Sequence, residues 1–350
     1  MPLLDKLLKE KPKSAQDTIA KLIASFNALE VGGDTKAHEK ALESVSKYLK
    51  FLKIYLFGDE EREVTKEGVL ELTKELMATD LLYLLTKHLS SLDFETRKDA
   101  AQVFGATVRI RDADDKSPGA HYVLQHPYIV NKLCAGFEDT SIALNCGQML
   151  RDCIRDEAVA KSLLDNKPMF MEFFEKVEVA NFEIASDAFS TFKDLLTRHK
   201  AIVAQYLQEN YAEFFPAYVK LLQSGNYVTR RQSLKLLGEL LLDRSNVKVM
   251  VKFVGEVQHL MLLMMLLKDP SRSIQFEAFH VFKVFVANPA KPQPITDILA
   301  NNRDKLLKYL EEFHTDKDDD EQFKEEKAVI IKEISMLGAP PPAPAPPASS

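Results

Sequence analysis

Phe276-Glu277-Ala278-Phe279-His280-Val281-Phe282 carries a polar residue, then a small one, then a large apolar residue four positions on. The spacing stacks the small and large side chains one turn apart on a single helical face. Four other stretches share the pattern: Lys98-Asp99-Ala100-Ala101-Gln102-Val103-Phe104, Leu144-Asn145-Cys146-Gly147-Gln148-Met149-Leu150, Ser186-Asp187-Ala188-Phe189-Ser190-Thr191-Phe192 and Arg231-Gln232-Ser233-Leu234-Lys235-Leu236-Leu237. Their polar positions, 99, 145, 187, 232 and 277, are separated by 46, 42, 45 and 45 residues. That period belongs to HEAT and armadillo arrays of two or three helices per repeat. The small residue lets a neighbouring helix approach, and the large one fills the groove between layers. The expected fold is all-α, an armadillo/HEAT-like right-handed helical-repeat solenoid forming a crescent. Its inner helices share one hydrophobic spine.

Working outward, residues 64–77 and 79–89 form one candidate helix pair, and 211–224 and 227–243 another. Helices over 15–29 and 36–56, joined at Gly32-Gly33-Asp34, suit an atypical capping repeat. Residues 111–120 read as an exposed loop, and 324–337 as a short amphipathic helix. No stretch alternates strictly enough for a half-buried strand. The domain expectation is a flexible N-terminus over 1–12, one helical-repeat domain over 13–337 and a disordered tail over 338–350. That tail has six prolines in thirteen residues.

Composition narrows the function. The 350 residues are 46% hydrophobic, with 12 glycines and no tryptophan, which suits stacked helices better than a glycine-rich doubly wound enzyme. A net charge of -6 argues against a nucleic-acid partner. Cys134, Cys146 and Cys153 form no disulfide framework and read as buried thiols in a reducing compartment. The first thirteen residues contain no continuous apolar stretch, and the longest apolar run, Leu260 to Leu267, has eight residues. A membrane span needs about 20. The expectation is a cytoplasmic protein with nuclear access open.

No catalytic constellation is visible, neither a glycine-rich phosphate loop nor a His-Glu-x-x-His. His121 and His126 are close enough to be weighed as a metal pair but read as unrelated. His280 reads as packed with one hydrogen bond, and His314, beside the acidic run, as solvated. That run, Asp316 to Glu321, places acids at 316, 318 and 320 as a calcium loop would. It has Glu321 and Lys327 where such a loop requires glycine and glutamate, so it reads as a linker. No metal, cofactor or enzymatic activity is expected.

Two surfaces are better candidates for function. Tyr227, Arg230, Arg231 and Lys235 open one inner helix, with Phe182 opening the corresponding helix one repeat earlier. An exposed ring beside guanidinium and ammonium groups suits a protein surface bearing acidic and aromatic groups. The reading competes with a solvated basic flank. The second surface is Leu260-Met261-Leu262-Leu263-Met264-Met265-Leu266-Leu267, apolar on every helical face. It suits either full burial under the following repeat, the favoured reading, or an adaptable peptide pocket.

The segments 182–200, 227–244 and 274–289 closely resemble the calcium-binding protein 39 family of armadillo-like kinase scaffolds. The resemblance covers about residues 10–337 and leaves out the proline-rich tail. It implies a non-catalytic scaffold that lays a concave face against a Ste20-class protein kinase or pseudokinase and stabilises its closed, active-like conformation. A further kinase can join in a ternary complex. It places the family's concave contacts on Phe182, Tyr227, Arg231 and Lys235, with Arg244 matching a surface arginine. It implies a second pocket, with Met264 as a lining residue, that accepts an apolar and aromatic C-terminal peptide of the partner. Met261 stands where the family pocket has a lysine. The alternative to kinase engagement is a kinase-independent adaptor in cell polarity, division or trafficking.

Overall fold

The computed structural model describes residues 12–31, 35–60, 62–314 and 320–337. The Gly32–Asp34 turn, most of the acidic run and of the N-terminus, and the tail over 338–350 lie outside the described residues. Two compact units divide between Val203 and Ala204.

Unit 1 contains α1 (Ala15–Glu30), α2 (Thr35–Phe57), α3 (Lys66–Met77), α4 (Leu81–Lys87), α5 (Phe94–Arg109), α6 (Pro118–Gln125), α7 (Tyr128–Ala135), α8 (Ala143–Cys153), α9 (Glu157–Asp165), α10 (Lys167–Met171), α11 (Phe173–Lys176) and α12 (Phe182–Thr197). The division falls in α13 (Lys200–Glu209). Unit 2 continues with α14 (Tyr211–Leu222), α15 (Tyr227–Leu242), α16 (Val247–Val254), α17 (Val257–Leu266), α18 (Arg272–Ala287), α19 (Gln293–Asn301), α20 (Arg303–Glu311) and α21 (Glu321–Ser335). Among the described residues the only β-type pairing is an isolated bridge between Asp59 and Arg62.

Three of the inner helices, α5, α12 and α15, start at side-chain caps. Asp93 accepts from the Thr96 amide at 3.0 Å, Asn181 from Glu183 at 3.0 Å and Asn226 from Val228 at 3.0 Å. Each cap satisfies a donor that the first helical turn leaves without a partner, at about 1 kcal/mol. The loop expected over 111–120 is shorter: Pro118, Gly119 and Ala120 begin α6. Proline at the first helical position needs no amide donor. The Ser117 hydroxyl accepts from the Ala120 amide and donates to the Val108 carbonyl. Gly119 is required where it stands, because a Cβ there would lie 2.3 Å from the Thr107 carbonyl oxygen.

Packing reveals what the repeat means. In unit 1, α2, α5, α8 and α12 lie against one another in that order, as do α3, α6 and α9, while α4 lies on α7. Each layer is therefore a triplet, such as α3–α4–α5, whose third helix is the inner one. The pairs read from sequence are incomplete parts of such triplets. In unit 2, α15, α18 and α21 form the corresponding inner row. The repeated small residues Ala100, Cys146, Ala188, Ser233 and Ala278 are all buried, as are Phe104, Leu150, Phe192, Leu237 and Phe282 one turn on. Each large side chain contributes about 1.5–3 kcal/mol on burial, an upper estimate because unfolded chains are already partly compact. Within each unit the repeated helices pack around an apolar seam, and the chain is an armadillo/HEAT-like helical-repeat solenoid.

Charge pairs link successive inner helices, with the cation on the earlier helix and the acid on the later. Lys53 reaches Asp99 at 2.6 Å, Arg109 reaches Asp152 at 2.8 Å, and Arg151 reaches Asp187 at 2.7 Å. In unit 2, Arg231 approaches Glu277 at 3.8 Å and Lys283 reaches Glu326 at 2.6 Å. Asp99, Asp187 and Glu277 are the polar residues of the repeat pattern, so that position serves as an acceptor for the preceding layer.

Candidate functional site

Helix α15 buries Leu234, Leu236, Leu237, Leu240 and Leu241 against α14 and α18. Tyr218 of α14 donates its hydroxyl proton to the Ser233 carbonyl at 2.8 Å, holding the buried side of α15 in place. Tyr227, Arg231 and Lys235, spaced four apart, form an exposed stripe on the opposite side. The Ser273 and Ser271 hydroxyls at the start of α18, together with Arg231, hold the Tyr227 phenol below its ordinary pKa. Arg231 is tethered only loosely: its Nε is 3.8 Å from Glu277, and its side chain is 48% exposed. Such a pair adds little stability and leaves the guanidinium accessible.

The other residues singled out from sequence are placed differently. Arg230 turns away from the stripe, toward the Ser224 carbonyl at 3.4 Å and the Asp269 carboxylate at 3.4 Å, where it buttresses the turn into α15. Arg244 is exposed just beyond the far end of α15, in the short 3-10 turn Arg244–Asn246. A 16-residue helix spans about 24 Å, so Arg244 and Tyr227 mark opposite ends of the surface. Phe182, in unit 1, is exposed as the first residue of α12. It follows its Asn181 cap just as Tyr227 follows Asn226.

Helix α17 corrects the expectation of full burial for Leu260–Leu267. Its four leucines are buried under α16, α18 and α19, as is Leu267 just beyond its end, but Met261 is 55% and Met265 70% exposed. Met264 is half-buried between them. Positions 261, 264 and 265 share one side of the helix, so a methionine edge faces outward. The run was apolar on every side, and sequence periodicity had no means of showing which side the neighbours leave uncovered. Met265 lay within the run read from sequence, but only Met261 and Met264 were assigned to the pocket.

A groove of about 520 Å³ lies between α15, α16, α18 and α21, lined by Leu242, Met250, Val284 and Val329 and edged by Lys283 and Glu326. Leu242 and Val329 are exposed apolar side chains within it. A lone exposed leucine or valine carries no distinctive sequence signal, and this groove was not anticipated.

The histidines are also settled. His126, just past the end of α6, donates its Nδ1–H to the Tyr122 carbonyl at 2.8 Å and stacks on that ring. His121 pairs instead with Gln125 at 3.0 Å. His280 is half-buried, edge-on to Phe276 and 3.8 Å from Glu326. His314 is not solvated. It is buried among Phe276, Phe313 and Phe323, the last a residue of α21. All three cysteines are buried and free, and burial pushes the Cys134 and Cys146 thiols up to about 12. Among the described residues, no group of three or more His, Cys, Asp or Glu side chains could hold a metal ion. No single described helix is long and apolar enough to cross a membrane; residues 244–254 and 257–266 pass that composition test only together and meet at 94°.

A family model described as Mo25-like matches residues 6–338, nearly the whole chain. The chain belongs to the Mo25-like family. It is 58% identical over 301 residues to the degreening-related gene dee76 protein of Auxenochlorella protothecoides, covering 86% of this chain and 93% of that one. It is 48% identical over 337 residues to a human protein named calcium-binding protein 39-like, covering 96% and 98%. Among solved structures, Uso1-2 matches with a TM-score of 0.54 at 13% identity, covering 96% of this chain and 57% of that one, which bears on the fold alone. Membership in the Mo25-like family identifies the chain as a non-enzymatic, armadillo-like helical scaffold.

Proposed function

We propose that this scaffold binds a Ste20-class kinase or pseudokinase through the α15 stripe of Tyr227, Arg231 and Lys235, with Phe182 and Arg244 as further contacts. The observation that carries this reading is the stripe itself: a ring and two cations accessible on a helix whose other side is locked into the core. Because packing fixes the α15 backbone beneath the stripe, docking there costs little backbone entropy. Family membership supports a partner of the kinase class.

No chemistry is required of the scaffold. Binding the closed kinase conformation better than the open one shifts the population toward the closed state. A preference of about 3 kcal/mol shifts that equilibrium about 150-fold. The methionine edge of Met261, Met264 and Met265 is proposed as the seat for an apolar and aromatic C-terminal peptide of the same partner. With Met261 in place of a lysine, that seat selects by apolar contact more than by charge.

Arg231→Ala tests the reading. Its loose surface pair predicts a stability change within about 0.5 kcal/mol, so a loss of binding would not reflect unfolding. If Arg231 is a central anchor, affinity for a Ste20-class partner falls about 30-fold, the equivalent of about 2 kcal/mol. Unchanged capture together with unchanged kinase activation rejects the assignment.

A further inference from the structure

Unit 1 carries a second charged surface, on helices outside the proposed kinase contacts. A groove of about 640 Å³ between α2 and α5 is lined by Lys50, Lys53, Ile54, Phe57, Gln102 and Arg109, together with Gly58. Three of these side chains are cationic and none is acidic. Phe57, the last residue of α2, is 52% exposed there, an apolar ring among cations.

The acids that pair with these cations are set back from the surface. Lys53 meets Asp99 at 2.6 Å, with the acid's side chain 12% exposed. Arg109 meets Asp152 at 2.8 Å, and that carboxylate is only 2% exposed against 39% for the arginine. Asp152 also lies 3.6 Å from Arg155. One carboxylate between two guanidinium groups leaves a positive charge unbalanced. Lys50 is exposed and has no acid within ion-pair distance among the described residues. The negative charge is thus held in the layer contact while the positive ends project outward, already oriented by their pairs.

We propose that this groove binds an acidic segment of a partner protein, one that places an apolar side chain on Phe57 and Ile54 and carboxylates against Lys50 and Arg109. Charge complementarity favours the acids, and the apolar floor favours a peptide over a polyanion. Non-specific nucleic-acid binding draws on many phosphate contacts, whereas this groove offers three cations on a chain of net charge -6. The proposal rests on the scaffold reading only in taking a protein as the occupant. It does not depend on the role of α15.

The probe is a fluorescein-labelled hexapeptide with a Phe-Leu pair flanked by two Glu on each side, titrated by anisotropy against the full chain. Wild type is expected to bind it, more weakly as NaCl rises from about 50 to about 300 mM. Lys50→Glu should lose about tenfold or more in affinity, and Phe57→Ala several-fold. Both residues are exposed, and unchanged thermal melts verify that the variants fold. Arg231→Ala should bind the probe like wild type, which separates failure here from failure at α15. Absence of binding to wild type overturns the proposal, as does equal binding by Lys50→Glu. Loss on Arg231→Ala alone overturns it too, by assigning the peptide to α15. A single-stranded oligonucleotide that binds more tightly than the peptide, and is released by Lys50→Glu, replaces the protein segment with nucleic acid and equally overturns it.

Discussion

Replacing Gly105 by alanine sets two effects against each other, and the structure decides between them. Alanine favours a helix interior over glycine by about 1 kcal/mol. At Gly105, however, the new Cβ would lie 2.3 Å from Asp152 Oδ2 and 3.1 Å from Arg109 Nη1. The carboxylate is only 2% exposed, so it cannot simply swing into water. Either α5 and α8 separate or the Arg109–Asp152 pair breaks. Overpacking costs about 1–3 kcal/mol. Breaking a fully buried pair costs about 3–5 kcal/mol, reduced here to about 1–2 because Arg109 is more than a third exposed and can be hydrated. Set against the helix gain of about 1 kcal/mol, either route leaves a net loss of about 1 kcal/mol, or about 2–4 °C in Tm for a unit of this size. Gly238 of α15 is the matched control: its nearest neighbour beyond the local helix is Val281 Cγ2 at 3.8 Å, an ordinary contact. Gly238→Ala should therefore gain up to about 1 kcal/mol. Thermal and urea unfolding of both variants beside wild type measures the difference. A Gly105→Ala protein as stable as Gly238→Ala would refute the close approach of α5 to α8.

Burial holds the His259 imidazole below its usual pKa, with the Phe253 carbonyl at 3.1 Å and Glu256 pulling the other way. Below pH 6.5 the unfolded histidine takes up a proton that the folded one resists. Its contribution is complete above that pH and declines as pH falls toward the folded pKa. Unfolding from pH 7.5 to 5 should show this slope, and a His259→Gln variant should show a shallower one; identical slopes would remove His259 as its source. Burial raises the pKa of all three cysteine thiols, so a thiol reagent at pH 8 should label none of them in the native protein and all three in denaturant; rapid native labelling would contradict their burial. Met264→Ala should weaken an apolar, aromatic C-terminal peptide several-fold while leaving kinase-domain binding at α15 unchanged, as titration of each partner would reveal. Equal peptide affinity would return Met264 to a packing role.

The helical class and the repeat were legible because they depend on neighbours in sequence. Ala100 and Phe104, or Ser233 and Leu237, lie one turn apart on any helix, so their pairing needs no knowledge of the fold. The pair Arg231 and Lys235 was visible as a four-residue spacing, and the fold leaves both exposed together with Tyr227 one turn earlier. The same spacing was silent about Arg230, one residue away, whose direction depends on Asp269 in the next layer.

Sequence alone therefore determined the helices, the period and the small and large residues of the seam, all consequences of backbone geometry within one or two turns. Only the tertiary structure decided that three helices make a layer, that Asp152 is shared by Arg109 and Arg155, that His314 lies under Phe323, and that Met261 and Met265 face outward. Each depends on which segment, often about 40 residues distant, covers a given side chain. Burial and charge pairing are properties of the space between helices, and a single helix's pattern does not say what fills that space.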